Sequence, residues 1–216
     1  MIMSLGVTQT QQMMLVLCEK MKNQRDYLCT LDRNIGDGDH GDGIYYGFAA
    51  IEELLQKKQY KTIKELFSES GFAMLQSMGG ASGVIFGSLF IGISKVLNEK
   101  DRLTTKTLSL GSRQALEDIK KRGGAELGDK TMVDSLEPAV RSLEKSTSEN
   151  WPLNQALELA SVSAEIGTNQ TKKYVAKSGR AKNLGERTIG HPDPGAMSVY
   201  LIYQGMSAYL GNEEDR

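Results

Sequence analysis

The residues best suited to chemistry in this chain of 216 residues lie in one acidic loop, residues 31–43. The loop reads LDRNIGDGDHGDG and carries four aspartates, Asp32, Asp37, Asp39 and Asp42. Its glycines let the backbone turn sharply, and carboxylates this close in sequence repel one another unless a cation lies between them. Asp32, Asp37 and Asp39 are therefore candidate ligands of Mg²⁺, which prefers hard oxygen donors and completes its shell with water or phosphate.

Two other ligand-binding patterns fit the acidic loop poorly. Residues 36–41 read G-x-G-x-x-G, but a dinucleotide-binding loop follows a strand, and aspartates inside the turn would oppose a pyrophosphate. An EF-hand loop starting at Asp37 would place Phe48 at its twelfth position, where a bidentate glutamate belongs. The structural alternative stays open: the aspartates would cap helices and form Asx turns around a tight turn.

Three further connections are rich in glycine, and seventeen of the 23 glycines fall in the four stretches 36–47, 79–92, 123–128 and 179–195. Residues 79–83 precede an apolar segment, so their N–H groups and the positive helix end are expected to receive a phosphate; the alternative is close helix packing. Residues 123–132 form a turn into a helix, where Lys130 is interpreted as a solvated charge. Residues 179–195 span the longest irregular connection, in which Arg180 is a candidate phosphate clamp.

Both histidines of the chain, His40 and His191, lie in these glycine-rich loops. A zinc site is disfavoured, because the neighbouring donors are carboxylates and no cysteine lies near either histidine. A phosphohistidine carrier is left open by the sequence.

The segments between the loops are predicted to be amphipathic helices, because their apolar residues recur at three-, four- and seven-residue steps. Capping boxes are predicted for Thr8 with Gln11 and for Thr62 with Glu65. No period-two run predicts a strand. The predicted helices cover approximately residues 8–28, 44–57, 62–74, 84–98, 105–121, 132–143, 153–167 and 197–210.

About eight helices joined mostly by short turns predict an all-α fold, a bundle or closed helical barrel of antiparallel helices. No linker, low-complexity block or internal repeat interrupts the pattern, so residues 1–216 are expected to form one domain. In a bundle of antiparallel helices, every second loop lies at the same end of the bundle. Several glycine-rich loops are therefore expected to converge on one end of the bundle, which is the predicted site.

Composition and charge disfavour several classes of protein. Lys and Arg number 26 against 27 Asp and Glu, a net charge of -1, so no overall field favours nucleic acid or an anionic membrane. Residues 71–94 carry no formal charge, but their six glycines and four serines disfavour a membrane span. Cys18 and Cys29, about 16 Å apart if they share one helix, cannot form a disulfide. With no signal-peptide pattern at residues 1–6, unpaired thiols indicate the cytoplasm.

Four motifs together carry a specific resemblance. In order along the chain, LDRNIGDGDHG, GGASG, GDKTM and GRAKNLGERTIGHPDPGA resemble the motifs of the nucleotide-binding L subunits of dihydroxyacetone kinases. The resemblance runs from about Leu31 to the last helix, and it implies a barrel of eight antiparallel helices that holds the nucleotide in loops at one end. The chain departs from the family pattern at Gly43-Ile44, where Asn-Met is usual, and at Val84-Ile85, which replaces a common Pro-Leu.

The resemblance also implies a set of site residues and cofactors. Two Mg²⁺ ions would be held by Asp32, Asp37 and Asp39, against the phosphates of ADP or ATP. The implied nucleotide-binding positions are His40, Gly41, Asp42, Gly43, Ala81, Ser82, Gly123, Met132, Arg180, Asp193, Pro194 and Gly195. No catalytic residue is assigned to this chain, because in this family a separate K subunit binds the sugar covalently.

The phosphoryl donor and the sugar remain open. The leading expectation is transfer to dihydroxyacetone on the K subunit, with bound ADP rephosphorylated by a phosphocarrier M subunit of the sugar phosphotransferase system. ATP that exchanges freely is the other route. The alternatives are a kinase subunit for a related ketose such as erythrulose, and a regulatory L subunit that binds a transcriptional activator. A metal-dependent phosphohydrolase is the least favoured function, since no general base is evident.

Overall fold

The structure is a computed structural model that describes residues 1–214. These residues form nine α-helices: α1 (Val7–Asn23), α2 (Arg25–Arg33), α3 (His40–Lys57), α4 (Ile63–Met78), α5 (Gly80–Val96), α6 (Thr105–Gly123), α7 (Val133–Ser148), α8 (Leu153–Gln170) and α9 (Pro194–Glu214). Two 3₁₀ helices, Thr171–Lys173 and Arg180–Thr188, lie between α8 and α9. The all-α prediction is confirmed.

Two short strands were not predicted by the sequence pattern. β1 (Ser4–Leu5) and β2 (Leu103–Thr104) pair antiparallel, with Ser4 opposite Thr104 and Leu5 opposite Leu103. Strands of two residues are too short to show a period-two pattern. They join the segment before α1 to the segment before α6.

The helices pack mainly in chain order. From α3 onward each helix contacts the next one, α1 packs on α3, and α9 packs on both α8 and α1. The antiparallel direction of α4 and α5 follows from their contacts, since Gly87 packs against Gly71 while Gly83 packs against Leu75. The ring of contacts agrees with the closed barrel, which stays a prediction. None of the α-helices in the described chain combines the length and the apolarity that crossing a membrane requires.

The predicted helix over residues 8–28 is broken at Gln24, which is why nine helices stand where about eight were predicted. The Gln24 N–H bonds to the carbonyls of Met21 and Lys22 and closes α1 with a tight turn, after which α2 begins. Cys18 and Cys29 therefore lie in different helices, which corrects the prediction of one shared helix. Both cysteines are buried and free, so they form no disulfide with each other.

Two predicted helix caps have different outcomes. The Thr62 Oγ1 accepts a hydrogen bond of 3.0 Å from the Glu65 N–H, which confirms the cap of α4. The Thr8 cap is wrong, because α1 already begins at Val7. The N-cap residue of α1 is Gly6, and the Gln9 Oε1 accepts a hydrogen bond from the Gly6 N–H.

Three helices begin earlier than predicted, and this places the sequence motifs within their first turns. α3 begins at His40, α5 at Gly80 and α9 at Pro194, each three or four residues before the apolar periodicity starts. Glycine and proline have low helix propensity, so the pattern alone does not show that the motifs are helical. Proline is nonetheless well tolerated in a first turn, because its missing N–H has no partner to lose there.

Close approach of α7 and α8 depends on one glycine, and we predict its effect on stability. A Cβ atom at Gly167 would lie 2.0 Å from the Asp134 carbonyl oxygen, so Gly167→Ala must push the two helices apart. We expect it to lower the free energy of unfolding by about 1–3 kcal/mol or more, measured by urea denaturation. Gly211→Ala is the matched control. Nothing lies within 4 Å of a Cβ at that position, so its stability should be unchanged or raised by up to about 1 kcal/mol. Equal losses in both variants would contradict the packing argument.

Candidate functional site

A cleft of about 700 Å³ opens where α3, α5, α7 and α9 begin. All four glycine-rich connections contribute to it, so the predicted convergence on one end of the helices is what the structure shows. Thirteen of the fifteen site residues named from the sequence line the cleft: Asp32, Asp37, Asp39, His40, Asp42, Gly43, Ala81, Ser82, Met132, Arg180, Asp193, Pro194 and Gly195.

Gly41 and Gly123 lie outside this lining. A Cβ at Gly41 would come 2.0 Å from the Arg25 carbonyl oxygen and 2.7 Å from the Cys29 Sγ, so this glycine lets α3 pack closely on α2. A Cβ at Gly123 would meet the Ile85 Cδ1 at 3.3 Å. Whether these two positions also contact the nucleotide stays a prediction.

The start of α5 is the part of the cleft best suited to an anion. No side chain caps this helix, and its first turn contains no acidic residue. Its N-cap residue, Gly79, has a φ of 65°, a left-handed value that glycine adopts readily. The unpaired first-turn N–H groups and the positive end of the helix dipole together favour a phosphate at Ala81 and Ser82.

Asp32 organises the acidic loop between α2 and α3. Its Oδ2 accepts hydrogen bonds from the backbone N–H groups of Gly38, at 2.9 Å, and His40, at 3.2 Å. Asp32, Asp37 and Asp39 each present an oxygen, and these oxygens lie within 4.8 Å of one another. Asp42 points elsewhere, because its carboxylate pairs with the Arg25 Nε at 2.6 Å. The loop thus presents three carboxylates to one point.

Arg180 supplies positive charge to this acidic cluster from the other side of the cleft. Its Nη1 contacts the Asp37 carboxylate and lies 3.2 Å from the Asp39 Oδ2. The guanidinium is otherwise largely exposed. Because Arg180 is 141 positions from Asp39 along the chain, only the fold brings them together.

His40 is held as a neutral imidazole. Its Nε2 lies 2.8 Å from the Ser198 Oγ, and the ring also hydrogen-bonds to the Pro194 backbone, where only a carbonyl is available. Burial lowers the pKa of His40 to about 4, although the nearby Asp32 charge acts in the opposite direction. With its polar atoms engaged in this way, His40 is poorly suited to carry a phosphoryl group.

Lys130 is buried, which corrects its interpretation as a solvated charge. Its side chain is 1% exposed, and its Nζ donates to the carbonyl oxygens of Thr171 and His191, both at 2.5 Å. Burial lowers its pKa, against the nearby charges of Asp193 and Asp134. A lysine in a polar turn carries no periodic signal of burial, so a single sequence gives no means of finding this contact.

Two more aspartates accept hydrogen bonds from backbone N–H groups near the starts of α7 and α9. The Asp134 Oδ1 accepts from the Gly128 N–H at 2.6 Å and its Oδ2 from the Thr131 N–H at 2.8 Å. Asp193 caps α9, since its Oδ2 accepts from the Ala196 N–H at 2.7 Å. Burial raises the pKa of Asp193 to about 7.

One wall of the cleft is apolar, and most of its residues were not predicted from the sequence. Tyr46, Met78, Ile85 and Phe86 line the cleft together with Met132, which was among the predicted residues. These side chains belong to helices whose apolar residues read as core. They form a surface suited to a flat, largely apolar ring.

The chain matches a known family over most of its length. Residues 34–208 match the family model described as "DAK2 domain". The ADP-binding subunit DhaL of the PEP-dependent dihydroxyacetone kinase of Escherichia coli K12 is 40% identical over 202 residues, 94% of this chain and 96% of that subunit. The ADP-binding subunit DhaL of PEP-dependent dihydroxyacetone kinase 1 of Listeria innocua is 34% identical, over 87% of this chain and 89% of its own length.

A solved structure has a similar fold. The dihydroxyacetone kinase from C. freundii, crystallised in complex with AMP-PNP and Mg²⁺, aligns with 96% of this chain at a TM-score of 0.73 and 24% sequence identity. The aligned region is 35% of that longer chain. At this level of identity the likeness is one of fold.

The raised pKa of Asp193 predicts a pH-dependent stability. The folded protein retains the Asp193 proton up to about pH 7, whereas the unfolded chain releases it near the ordinary pKa of 3.8. This contribution to stability is therefore full below about pH 4 and is lost as the pH rises to about 7. Asp193→Asn keeps an oxygen for the Ala196 N–H but has no proton to lose.

The free energy of unfolding of Asp193→Asn, relative to the wild type, should therefore rise by about 1 kcal/mol or more between about pH 5 and pH 8. The measurement is urea denaturation of the nucleotide-free proteins at a series of pH values. A difference that stays constant with pH would mean that Asp193 is charged in the folded state.

Proposed function

The chain belongs to the DAK2 domain family, and we propose that it is the nucleotide-binding subunit of a dihydroxyacetone kinase, in which it holds ADP or ATP with two Mg²⁺ ions. One observation carries the proposal: three carboxylates, an arginine and the uncapped start of a helix face one cleft of about 700 Å³. The names of the two bacterial relatives support it, since both are ADP-binding subunits of such kinases. We take residues 1–216 as one nucleotide-binding domain in the cytoplasm.

The acidic cluster fits Mg²⁺ in its chemistry. It offers only carboxylate oxygens, which Mg²⁺ prefers, and those of Asp37 and Asp39 lie at the open surface, where phosphate oxygens and water can complete the coordination. When bound, the metal would neutralise phosphate charge and hold the phosphates in line for transfer. Asp32, fixed by the N–H groups of Gly38 and His40, sets the position of the other two carboxylates.

The rest of the cleft divides into a polar part and an apolar part. The first-turn N–H groups at Ala81 and Ser82 and the guanidinium of Arg180 suit the phosphates. The wall that contains Ile85, Phe86 and Met132 suits the adenine ring. This arrangement would orient the nucleotide in the cleft. It does not require a basic surface, which agrees with the net charge of -1.

The chemistry left to this chain is positioning. His40 is neutral and hydrogen-bonded, Asp42 pairs with Arg25, and the other aspartates of the cleft are assigned to metal or to a backbone cap. We therefore propose no catalytic residue here. The sugar would be held by a separate K subunit. Bound ADP would be rephosphorylated by a phosphocarrier M subunit, for which the relatives' description as PEP-dependent is the support.

Nucleotide release tests the proposal directly. Denaturing the purified protein should release about one ADP per chain, and the emptied protein should bind Mg–ADP in calorimetry. A protein that neither carries nor binds the nucleotide would overturn the proposed function. Turnover of dihydroxyacetone or erythrulose with the K subunit, with either ATP or the phosphocarrier supplied, then identifies the donor and the sugar.

The carboxylates are predicted to hold metal and nucleotide together. Asp37→Asn and Asp39→Asn each remove one charge from the cluster, so both should weaken Mg²⁺ and Mg–ADP binding about tenfold or more in calorimetry. Circular dichroism should show an unchanged helix content. Asp26→Asn is the matched control, since Asp26 is exposed in the first turn of α2 and does not line the cleft. Unchanged nucleotide affinity in the two cluster variants would mean that the aspartates only stabilise the turn and do not bind metal.

A further inference from the structure

We propose that Asp129 and Lys130 anchor the segment that carries Arg180, and that Lys130 is thereby a positioning residue for the arginine. The segment, residues 174–191, is called the arginine loop below. The structural part of the inference stands on contacts alone. The part that concerns turnover rests on the proposed function.

The two ends of the arginine loop are tied to consecutive residues of the connection between α6 and α7. At its start, the Lys177 N–H donates to the Asp129 carbonyl at 3.1 Å, and the Lys177 Nζ lies 2.9 Å from the Asp129 carboxylate. At its end, the His191 carbonyl accepts from the Lys130 Nζ at 2.5 Å. The same Nζ donates to the Thr171 carbonyl, just before the loop begins.

Other hydrogen bonds close the loop on itself and join it to the segment before it. The Ala176 N–H donates to the Thr188 Oγ1 at 3.1 Å, and the Gly190 N–H donates to the Lys172 carbonyl at 2.7 Å. These bonds hold the two ends of the arginine loop together but do not reach the α6–α7 connection. Asp129 and Lys130 supply that link, and so fix where the ends of the arginine loop lie relative to the cleft.

Stability alone is a poor explanation for Lys130. Burying an ammonium group is unfavourable even when carbonyl oxygens accept its hydrogen bonds. Lys130 also has a φ of 60°, a left-handed value that is unfavourable for residues other than glycine. Two unfavourable features at one buried residue suggest that its contacts serve to position another part of the protein. The element they position carries Arg180, whose guanidinium reaches Asp37 and Asp39.

Limited proteolysis with trypsin tests the anchor. The arginine loop contains four sites of cleavage, Lys177, Arg180, Lys182 and Arg187. Lys130→Met keeps the length of the side chain but removes its N–H donors, so it should raise the rate of cleavage at these sites about fivefold or more, mapped by mass spectrometry. Cleavage at the other lysines and arginines that both proteins share should not change.

Matched variants keep the proteolysis test decisive. Lys173→Met removes an exposed lysine directly before the arginine loop and should leave cleavage within the loop unchanged. If Lys130→Met does not fold, Asp129→Asn removes the charge that pairs with Lys177 and should still raise cleavage at the same four sites. Cleavage that stays at the wild-type rate in the folded anchor variants would overturn the proposal.

A double-mutant comparison separates positioning from general damage. With the K subunit present, Lys130→Met should lower turnover about tenfold or more, and adding Lys130→Met to Arg180→Ala should lower it little further. Independent, additive losses, or a released loop with wild-type turnover, would overturn the positioning role. A wild-type protein without kinase activity would instead count against the proposed function, and the trypsin pattern would still decide the anchor.

Discussion

Mutual repulsion among three carboxylates is the constraint on which the site depends. Asp32, Asp37 and Asp39 hold oxygens within 4.8 Å of one another, which is unfavourable unless positive charge lies close by. The protein holds the cluster together by donating two backbone N–H groups to Asp32 and by bringing Arg180 against the other two. A site of this kind is complete only when a cation and the phosphates it carries share the charge.

The helical architecture explains why the other groups lie beside this cluster. When successive helices alternate in direction, every second helix begins at the same end, and here α3, α5, α7 and α9 begin at the cleft. Each of α3, α7 and α9 has an acidic side chain in its first turn or as its cap. By contrast, α5 has no side-chain cap and no acidic residue in its first turn. The dipole of α5 is therefore free to act on a bound anion, next to carboxylates that require a cation.

Much of this could be predicted from the sequence, because two kinds of signal are local. Apolar periodicity predicted the helix bodies, and the Thr62 cap was readable from its spacing to Glu65. The break at Gln24 was missed, because the apolar residues on both sides keep their period across it. The burial of Lys130 was missed for a different reason: its two acceptors lie 41 and 61 positions away, so only the tertiary fold reveals them.

The excess of glycine has two physical causes that composition cannot separate. At Gly71, Gly87 and Gly167 the reason is close approach, since an added Cβ would lie under 3 Å from the backbone of a neighbouring helix. At Gly79 the reason is the left-handed backbone, and nothing lies within 4 Å of an added Cβ. Substitution at the first group must disturb the packing of the helices. Substitution at Gly79 leaves the packing intact and instead strains the turn that presents the N–H groups of α5 to the cleft, so function should be lost there before stability is.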